Sequence, residues 1–266
     1  MTSPEKTDIP AAPTRCPEGP QHPSTAARGS APDLGAEPTH AYFGGLNLYI
    51  NLTSRCSSNC SFCLREFTWE VFGRSLWLAP DDEPDAQTVI AAIQVSLSEA
   101  APAGGPKEVV FTGIGEPTLR LDVMLEVLRW LSGRGIASRL DTNGHGQLLN
   151  PEREVAEELA ASGLKAASVS LNAADAATYE LLCRPGMRGA FPAVLDFIRG
   201  LVEAGVDTTA TMVDIEGVDQ DAVRHLASEL GAAFRVRPLI SPDRSAPDWP
   251  RVAMGVASPG VAGTRS

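Results

Sequence analysis

Along the middle of the chain, short apolar and β-branched runs alternate with longer stretches of helical periodicity. The runs are Leu46–Leu52, Val109–Thr112, Ser138–Asp141, Ala167–Leu171, Thr208–Val213 and Phe234–Leu239, and they read as strands. Between them apolar residues return at three- and four-residue intervals: Leu121, Met124, Leu125 and Leu128; Val194, Leu195, Ile198 and Leu201; Val223, Leu226, Ala227 and Leu230. That spacing predicts helices with one buried face. Gly135, Gly163, Gly205 and Gly231 each close such a segment, where a left-handed cap is wanted. At roughly 30 residues per strand–helix unit, the region holds about six units. The pattern predicts an α/β fold with a parallel sheet, either open and doubly wound or a partial barrel. Both architectures place ligands at the C-terminal ends of the strands.

The pattern stops at both ends. Residues 1–40 are rich in Pro, Ala, Ser and Thr, from Pro4 and Pro10 to Pro32 and Pro38. They offer few large apolar side chains to offset ordering entropy, so a disordered arm is expected. Residues 243–266, with Pro247, Pro250, Pro259 and Gly260, read the same way, with Trp249 and Val252 as candidates to dock a short piece. Residues 41–242 are left as the core domain.

Composition narrows the function. The chain has 266 residues, 43% of them hydrophobic, which is apolar material for one sizeable core. Its 22 basic and 33 acidic residues give a formal charge of −11. That argues against a nonspecific polyanion-binding surface and a large nucleic acid partner, and leaves room for a local basic groove. No apolar run approaches the roughly 20 residues that span a bilayer. Met1–Pro10 lacks the hydrophobic stretch of a secretory signal. A soluble, cytoplasmic protein with no membrane partner is expected.

Three of the five cysteines fall within Arg55-Cys56-Ser57-Ser58-Asn59-Cys60-Ser61-Phe62-Cys63, just after the first strand. An odd number in a tight group fits a metal or redox site better than a disulfide framework. Cys16, in the arm, reads as incidental. A tetrahedral zinc site needs four ligands, and only His145 or Cys183 from other strand ends would supply the fourth. An iron–sulfur cube held by three thiolates instead leaves one iron open, which suits activation of a small molecule.

The C-x3-C-x-aromatic-C pattern of Cys56, Cys60, Phe62 and Cys63 resembles the radical S-adenosylmethionine (SAM) superfamily. The resemblance implies a partial (β/α)6 barrel of parallel strands, in line with the six units counted above. It also implies a [4Fe–4S] cluster on Cys56, Cys60 and Cys63, chelated at its fourth iron by SAM. One electron, from a donor such as flavodoxin or ferredoxin, then cleaves SAM to methionine and a 5′-deoxyadenosyl radical. Phe62 would pack beside the adenine; plain core packing is the other reading of that side chain.

Gly113-Ile114-Gly115-Glu116-Pro117 ends the second strand. The superfamily's Gly-Gly-Glu-Pro segment binds the SAM amino group, and Gly115, Glu116 and Pro117 match it directly. A strand-to-helix turn with Glu116 at the positive end of a helix is the alternative. Thr142-Asn143-Gly144 and Ser170-Leu171-Asn172 resemble segments of the molybdopterin-precursor synthase that contact SAM. The resemblance assigns Thr142 and Ser170 to SAM, with Asn143 and Asn172 also readable as turn formers or caps. Arg184 is a candidate for the SAM carboxylate or a substrate anion, or else a surface arginine at a helix end. Cys183 reads as a buried free thiol.

Leu48-Tyr49-Ile50-Asn51-Leu52-Thr53, Gly115–Asp122 and Phe234-Arg235-Val236-Arg237-Pro238 are similar to one subgroup, the TatD-linked radical SAM family. The similarity runs from about Leu46 to Leu239. No second cysteine group follows the barrel, so a single cluster is expected, acting on a small-molecule or nucleotide substrate. Arg235 and Arg237 lie two apart on one strand and share a face. If that face is the barrel interior they mark an anionic substrate group; otherwise they form a solvated edge. Residues 64–84, with Phe67, Trp69, Phe72 and Trp77, form a loop-like insertion that is either a lid or a cover over the barrel's open side. The alternative function is a non-catalytic module that keeps the cysteines for zinc or a structural cluster.

Overall fold

The computed structural model describes residues 37–100 and 105–240. Most of the arm, the 243–266 tail, Cys16, Trp249 and Val252 lie outside the described residues. In chain order, β1 (Ala41–Gly44) and β2 (Asn47–Asn51) are followed by β3 (Glu70–Val71), β4 (Arg74–Ser75) and α1 (Ala86–Ala100). Next come β5 (Val109–Thr112), α2 (Leu121–Ser132), β6 (Ser138–Thr142), α3 (Gly146–Leu149), α4 (Val155–Ala161) and β7 (Ala166–Ser170). Then α5 (Ala176–Cys183), α6 (Ala190–Glu203), β8 (Asp207–Val213), α7 (Gln220–Glu229) and β9 (Ala233–Arg237) complete the order.

Seven strands form one sheet in the order β1-β2-β5-β6-β7-β8-β9. From β2 to β9 every neighbouring pair is parallel, which is the expected set of six strands. β1 adds an antiparallel edge beside β2 that the strand pattern did not predict. Helix α1 is likewise an addition, started by Asp85, whose carboxylate accepts the Thr88 N–H at 2.7 Å. Asp175 and Asp219 cap α5 and α7 in the same way. The four glycines expected to close helices all have positive φ, from 67° to 98°.

Alternation along the strands divides the sheet into two unlike faces. Leu48, Ile50, Val109, Phe111, Leu140, Ala167, Val169, Ala210 and Met212 belong to the main core with the apolar faces of α1, α2, α4, α6 and α7. Burial of each large side chain there stabilises the fold by about 1.5–3 kcal/mol. The intervening residues are Tyr49, Asn51, Val110, Thr112, Arg139, Asp141, Ser168, Ser170, Thr211, Arg235 and Arg237, placed side by side by the register. Apart from Tyr49 and Val110 that face is polar.

Residues 64–84 are more ordered than a loop. Two 3-10 turns flank the β3–β4 hairpin, and Leu76 is buried with Tyr42 and Ile114, with Tyr49, Trp69 and Val71 packed around them. Trp69 meets Trp77 edge-on at 4.8 Å between centroids, while Phe72 at the hairpin tip lies over Tyr49 at 5.8 Å. The segment thus covers the β1–β2 side of the concave face. Among the described residues, no helix is long and apolar enough to cross a membrane.

Candidate active site

The cysteine loop leaves the C-terminal end of β2 and is held by a distant stretch of main chain. Gly186 N–H donates to Ser57 O at 2.9 Å, Asn59 N–H to Arg184 O at 3.1 Å and Ser61 N–H to Leu182 O at 2.8 Å. Ser58 and Pro185 form an antiparallel bridge between these bonds. The Cys183-Arg184-Pro185 segment therefore acts through its backbone, as a brace for the loop. Arg184 adopts φ 44° at the end of α5 and keeps its side chain exposed.

Cys56, Cys60 and Cys63 are free and half-buried, and Cys183 is free and buried. Burial pushes the Cys56 thiol up to about 12, against the pull of Arg65. The Cys60 thiol is raised by a hydrogen bond with Cys183 and by burial. Arg65 donates from Nε to Cys63 Sγ at 3.4 Å and from Nη2 to Ser58 O at 2.9 Å. Asn143 Nδ2 lies 3.7 Å from Cys56 Sγ. Among the described residues, no three His, Cys, Asp or Glu side chains converge on a site for a single ion. Three thiols on one loop, with a guanidinium and an amide directed at their sulfurs, fit a multi-iron cluster better than one zinc ion.

His145, a possible fourth zinc ligand, has both ring nitrogens engaged: Nδ1 with Ser57 Oγ at 2.9 Å and Nε2 with Tyr179 OH at 2.8 Å. Burial lowers its pKa to about 4, so the ring is neutral near pH 7. Asn143 Nδ2 also donates to Ser57 Oγ at 2.8 Å, and its Oδ1 accepts the His145 N–H at 2.9 Å. Tyr179, His145, Ser57 and Asn143 thus form one hydrogen-bonded chain, buried at Tyr179 and His145 and half-buried at Ser57 and Asn143, that ends at Cys56.

The Gly113–Pro117 turn packs against the loop with no space between the backbones. A Cβ on Gly115 would lie 2.2 Å from Thr53 O and 2.5 Å from Arg55 O, so only glycine fits. Glu116 N–H donates to Arg55 O at 2.8 Å. The Glu116 carboxylate is 1% exposed. Its Oε1 accepts from Thr118 N, Thr118 Oγ1 and Thr142 Oγ1 at 3.1, 2.7 and 2.8 Å, and its Oε2 accepts Asn143 N–H at 2.8 Å. Burial raises its pKa against the pull of these donors. Both oxygens are therefore used within the chain, tying β5 to β6. Thr142 Oγ1 is occupied too, since it accepts Gly144 N–H at 3.0 Å while donating to Glu116.

The remaining predicted residues separate. Asn172 is buried at φ 57°, with Nδ2 on Cys183 Sγ at 3.5 Å and Oδ1 accepting Val213 N–H at 3.2 Å. Phe62 is half-buried against the main core. Ser170 faces the barrel interior, where its Oγ accepts from Arg237 Nη2 at 3.2 Å. This places Arg237 inside, and Arg235 reaches Ser168 Oγ at 3.2 Å on the same face. Sequence reasoning missed Arg65, Ser57 and Tyr179. It also missed Glu83, which accepts from Thr53 Oγ1, Arg55 and Arg120 and so anchors the start of the cysteine loop. Arg65 alone carried a signal, two positions beyond the last cysteine.

Comparison with known proteins agrees with this geometry. Residues 50–230 match the Radical SAM superfamily. The AdoMet-dependent heme synthase of Methanosarcina barkeri is 31% identical over 185 residues, covering 68% of this chain and 46% of the relative. A probable GTP 3′,8-cyclase of Pyrococcus horikoshii is 27% identical over 197 residues, covering 71% of this chain and 54% of the relative. The chain thus spans about half the length of these curated relatives. The crystal structure of Streptococcus suis SuiB bound to the precursor peptide SuiA superposes with a TM-score of 0.56 at 19% identity, over 73% of this chain and 39% of that one. At that identity the likeness shows the fold. With a superfamily match over most of the folded region and the cysteine loop on a barrel strand's C-terminal end, the chain belongs to the radical SAM superfamily.

Proposed function

We infer that the protein is an enzyme that holds a [4Fe–4S] cluster on Cys56, Cys60 and Cys63 and cleaves SAM reductively to act on a small-molecule or nucleotide substrate. The observation that carries this reading is the three-cysteine loop fixed by main-chain bonds from residues 182–186 at the C-terminal end of β2. When bound, the cluster and SAM supply one-electron chemistry, yielding methionine and a 5′-deoxyadenosyl radical that abstracts a hydrogen atom.

The chain's own residues supply the setting. Arg65 offsets negative charge at the sulfurs, and the Tyr179–His145–Ser57–Asn143 relay fixes the side of the loop that carries Cys56. Gly115 lets the turn pack directly on the loop, and Glu116 holds the turn in place for the SAM amino group. Thr142, Asn143, Ser170, Asn172, Phe62 and Arg184 complete the set assigned to SAM by resemblance. Of these, Thr142 and Asn172 contribute by positioning the strand ends. A flavodoxin or ferredoxin serves as the electron donor. The heme synthase is named for its product and the cyclase for GTP, so the substrate class stays broad; the TatD-linked subgroup is the finer assignment we favour.

The test is anaerobic reconstitution with iron and sulfide, then incubation with SAM and a strong reductant. Formation of 5′-deoxyadenosine is expected, together with loss of both cluster and cleavage in Cys60→Ala and retention of the cluster in Cys183→Ala. Stoichiometric zinc binding with no 5′-deoxyadenosine would support the non-catalytic module and overturn the enzyme reading.

A further inference from the structure

The concave face contains more positive charge than its own carboxylates neutralise. Three guanidinium groups, Arg139, Arg235 and Arg237, converge on the hydroxyls of Ser168 and Ser170 in the middle of the barrel. Glu108 and Asp141 are both committed to Arg139. Arg235 and Arg237 meet only neutral serine oxygens, and among the described residues neither forms an ion pair. Arg237 Nε is buried with no hydrogen-bond partner. Burial holds its guanidinium below its usual pKa against the pull of the nearby Asp141 carboxylate, with Arg235 and Arg139 adding to the effect of burial.

Arg235 is exposed and Arg237 half-buried, so the cost falls on the one buried Arg237 N–H that has no acceptor. Two arginines on the polar face that form no ion pair among the described residues, one of them with an unanswered N–H, make a ready site for an anion. Two planar forks and two hydroxyls match an anion with several oxygens and more than one charge. A lone carboxylate would satisfy one arginine and leave the other unpaired. A phosphoryl group satisfies both.

We propose that Arg235 and Arg237 form the binding site for a phosphoryl group on the substrate, so that the substrate is a phosphorylated small molecule with its reactive carbon turned toward the cysteine loop. The proposal rests on the reading that the barrel interior receives the substrate. It adds a specificity element on β9 that is separate from the cysteine, glycine and threonine segments assigned to the cofactors.

The probe is inorganic pyrophosphate, titrated into the full chain at fixed ionic strength while thermal unfolding is followed, with malonate as a dianion built from carboxylates. A saturable rise in melting temperature with pyrophosphate is expected, and a much smaller one with malonate. Arg235→Gln and Arg237→Gln are expected to weaken pyrophosphate binding roughly tenfold or more each. Arg199→Gln, an exposed cation on α6 paired with Asp196, is expected to leave it unchanged. Both barrel variants are expected to melt close to the parent without ligand, since Arg235 is exposed, Arg237 is half-buried and neither forms an ion pair among the described residues; that outcome also shows that they fold. No saturable rise, equal affinity in the barrel variants, or malonate binding as tight as pyrophosphate would each overturn the proposal. Displacement of pyrophosphate by SAM would overturn it too, by placing the SAM carboxylate on the pair. The titration needs neither reductant nor turnover, so its failure is distinct from a failure to form 5′-deoxyadenosine.

Discussion

Gly115→Ala adds a single methyl group where two backbones touch. The new carbon would fall 2.2 Å from Thr53 O and 2.5 Å from Arg55 O. Both obstacles are main-chain atoms, so no side-chain rotation relieves the overlap. The Gly113–Pro117 turn or the start of the cysteine loop must move, at about 1–3 kcal/mol for the forced shift. That movement also stretches the 2.8 Å bond from Glu116 N–H to Arg55 O, worth about 1 kcal/mol. The sum is roughly 2–4 kcal/mol, or about 5–15 °C in melting temperature for a domain of this size. Gly45→Ala is the matched comparison: φ is +64° there, but no atom lies within 4 Å of the new carbon, and the left-handed backbone alone costs about 1–2 kcal/mol. Urea unfolding of both variants against the parent measures the difference. A Gly115→Ala cost no greater than that of Gly45→Ala would refute the argument from close approach.

Other consequences follow from the same surroundings. His145 is neutral in the fold with its pKa lowered by burial to about 4, while in the unfolded chain it takes up a proton near 6.5. Its contribution is fully present above about pH 6.5 and is lost as pH falls toward 4, to a total on the order of 3 kcal/mol. His145→Gln is therefore expected to flatten the stability–pH curve between those limits; urea midpoints at pH 7 and pH 4.5 that shift as in the parent would contradict this. Arg65→Gln removes a charge that lies at hydrogen-bond range from Cys63, and a Coulomb term on the order of 3 kcal/mol at an effective dielectric near 20 corresponds to a one-electron cluster potential more negative by about 130 mV. A redox titration followed by EPR on the reconstituted protein tests it, and an unchanged potential would remove Arg65 from the cluster's surroundings.

How far the fold could be read in advance depended on which signals are local. Most of the six parallel strands announced themselves by apolar and β-branched runs, and α2, α6 and α7 by their apolar spacing, because each must bury one face. β1 is four residues long with a glycine at its end, too short for alternation to register, although its hairpin partner was found. The cysteine loop was legible because ligand spacing is a local constraint. The brace from Leu182 to Gly186 was not, since backbone pairing across more than a hundred residues leaves no periodic trace. Glu116 illustrates the same limit: its type and position were apparent, but whether its carboxylate turns outward depends on donors from Thr142 and Asn143 on another strand. Arg235 and Arg237 shared a face by simple alternation, and only the register with β8 made that face the interior.

The brace has a consequence for biosynthesis. The three cysteines are made well before the main-chain partners that shape their loop, which lie on α5 and just beyond, as far as Gly186. A growing chain that has not reached that point exposes three thiols on an unsupported segment. Because domains fold as units and long-range contacts form late, a chain interrupted before residue 186 would bind iron loosely or oxidise. The order of events is thus set by the architecture: fold through β7 and α5 first, metallate afterwards.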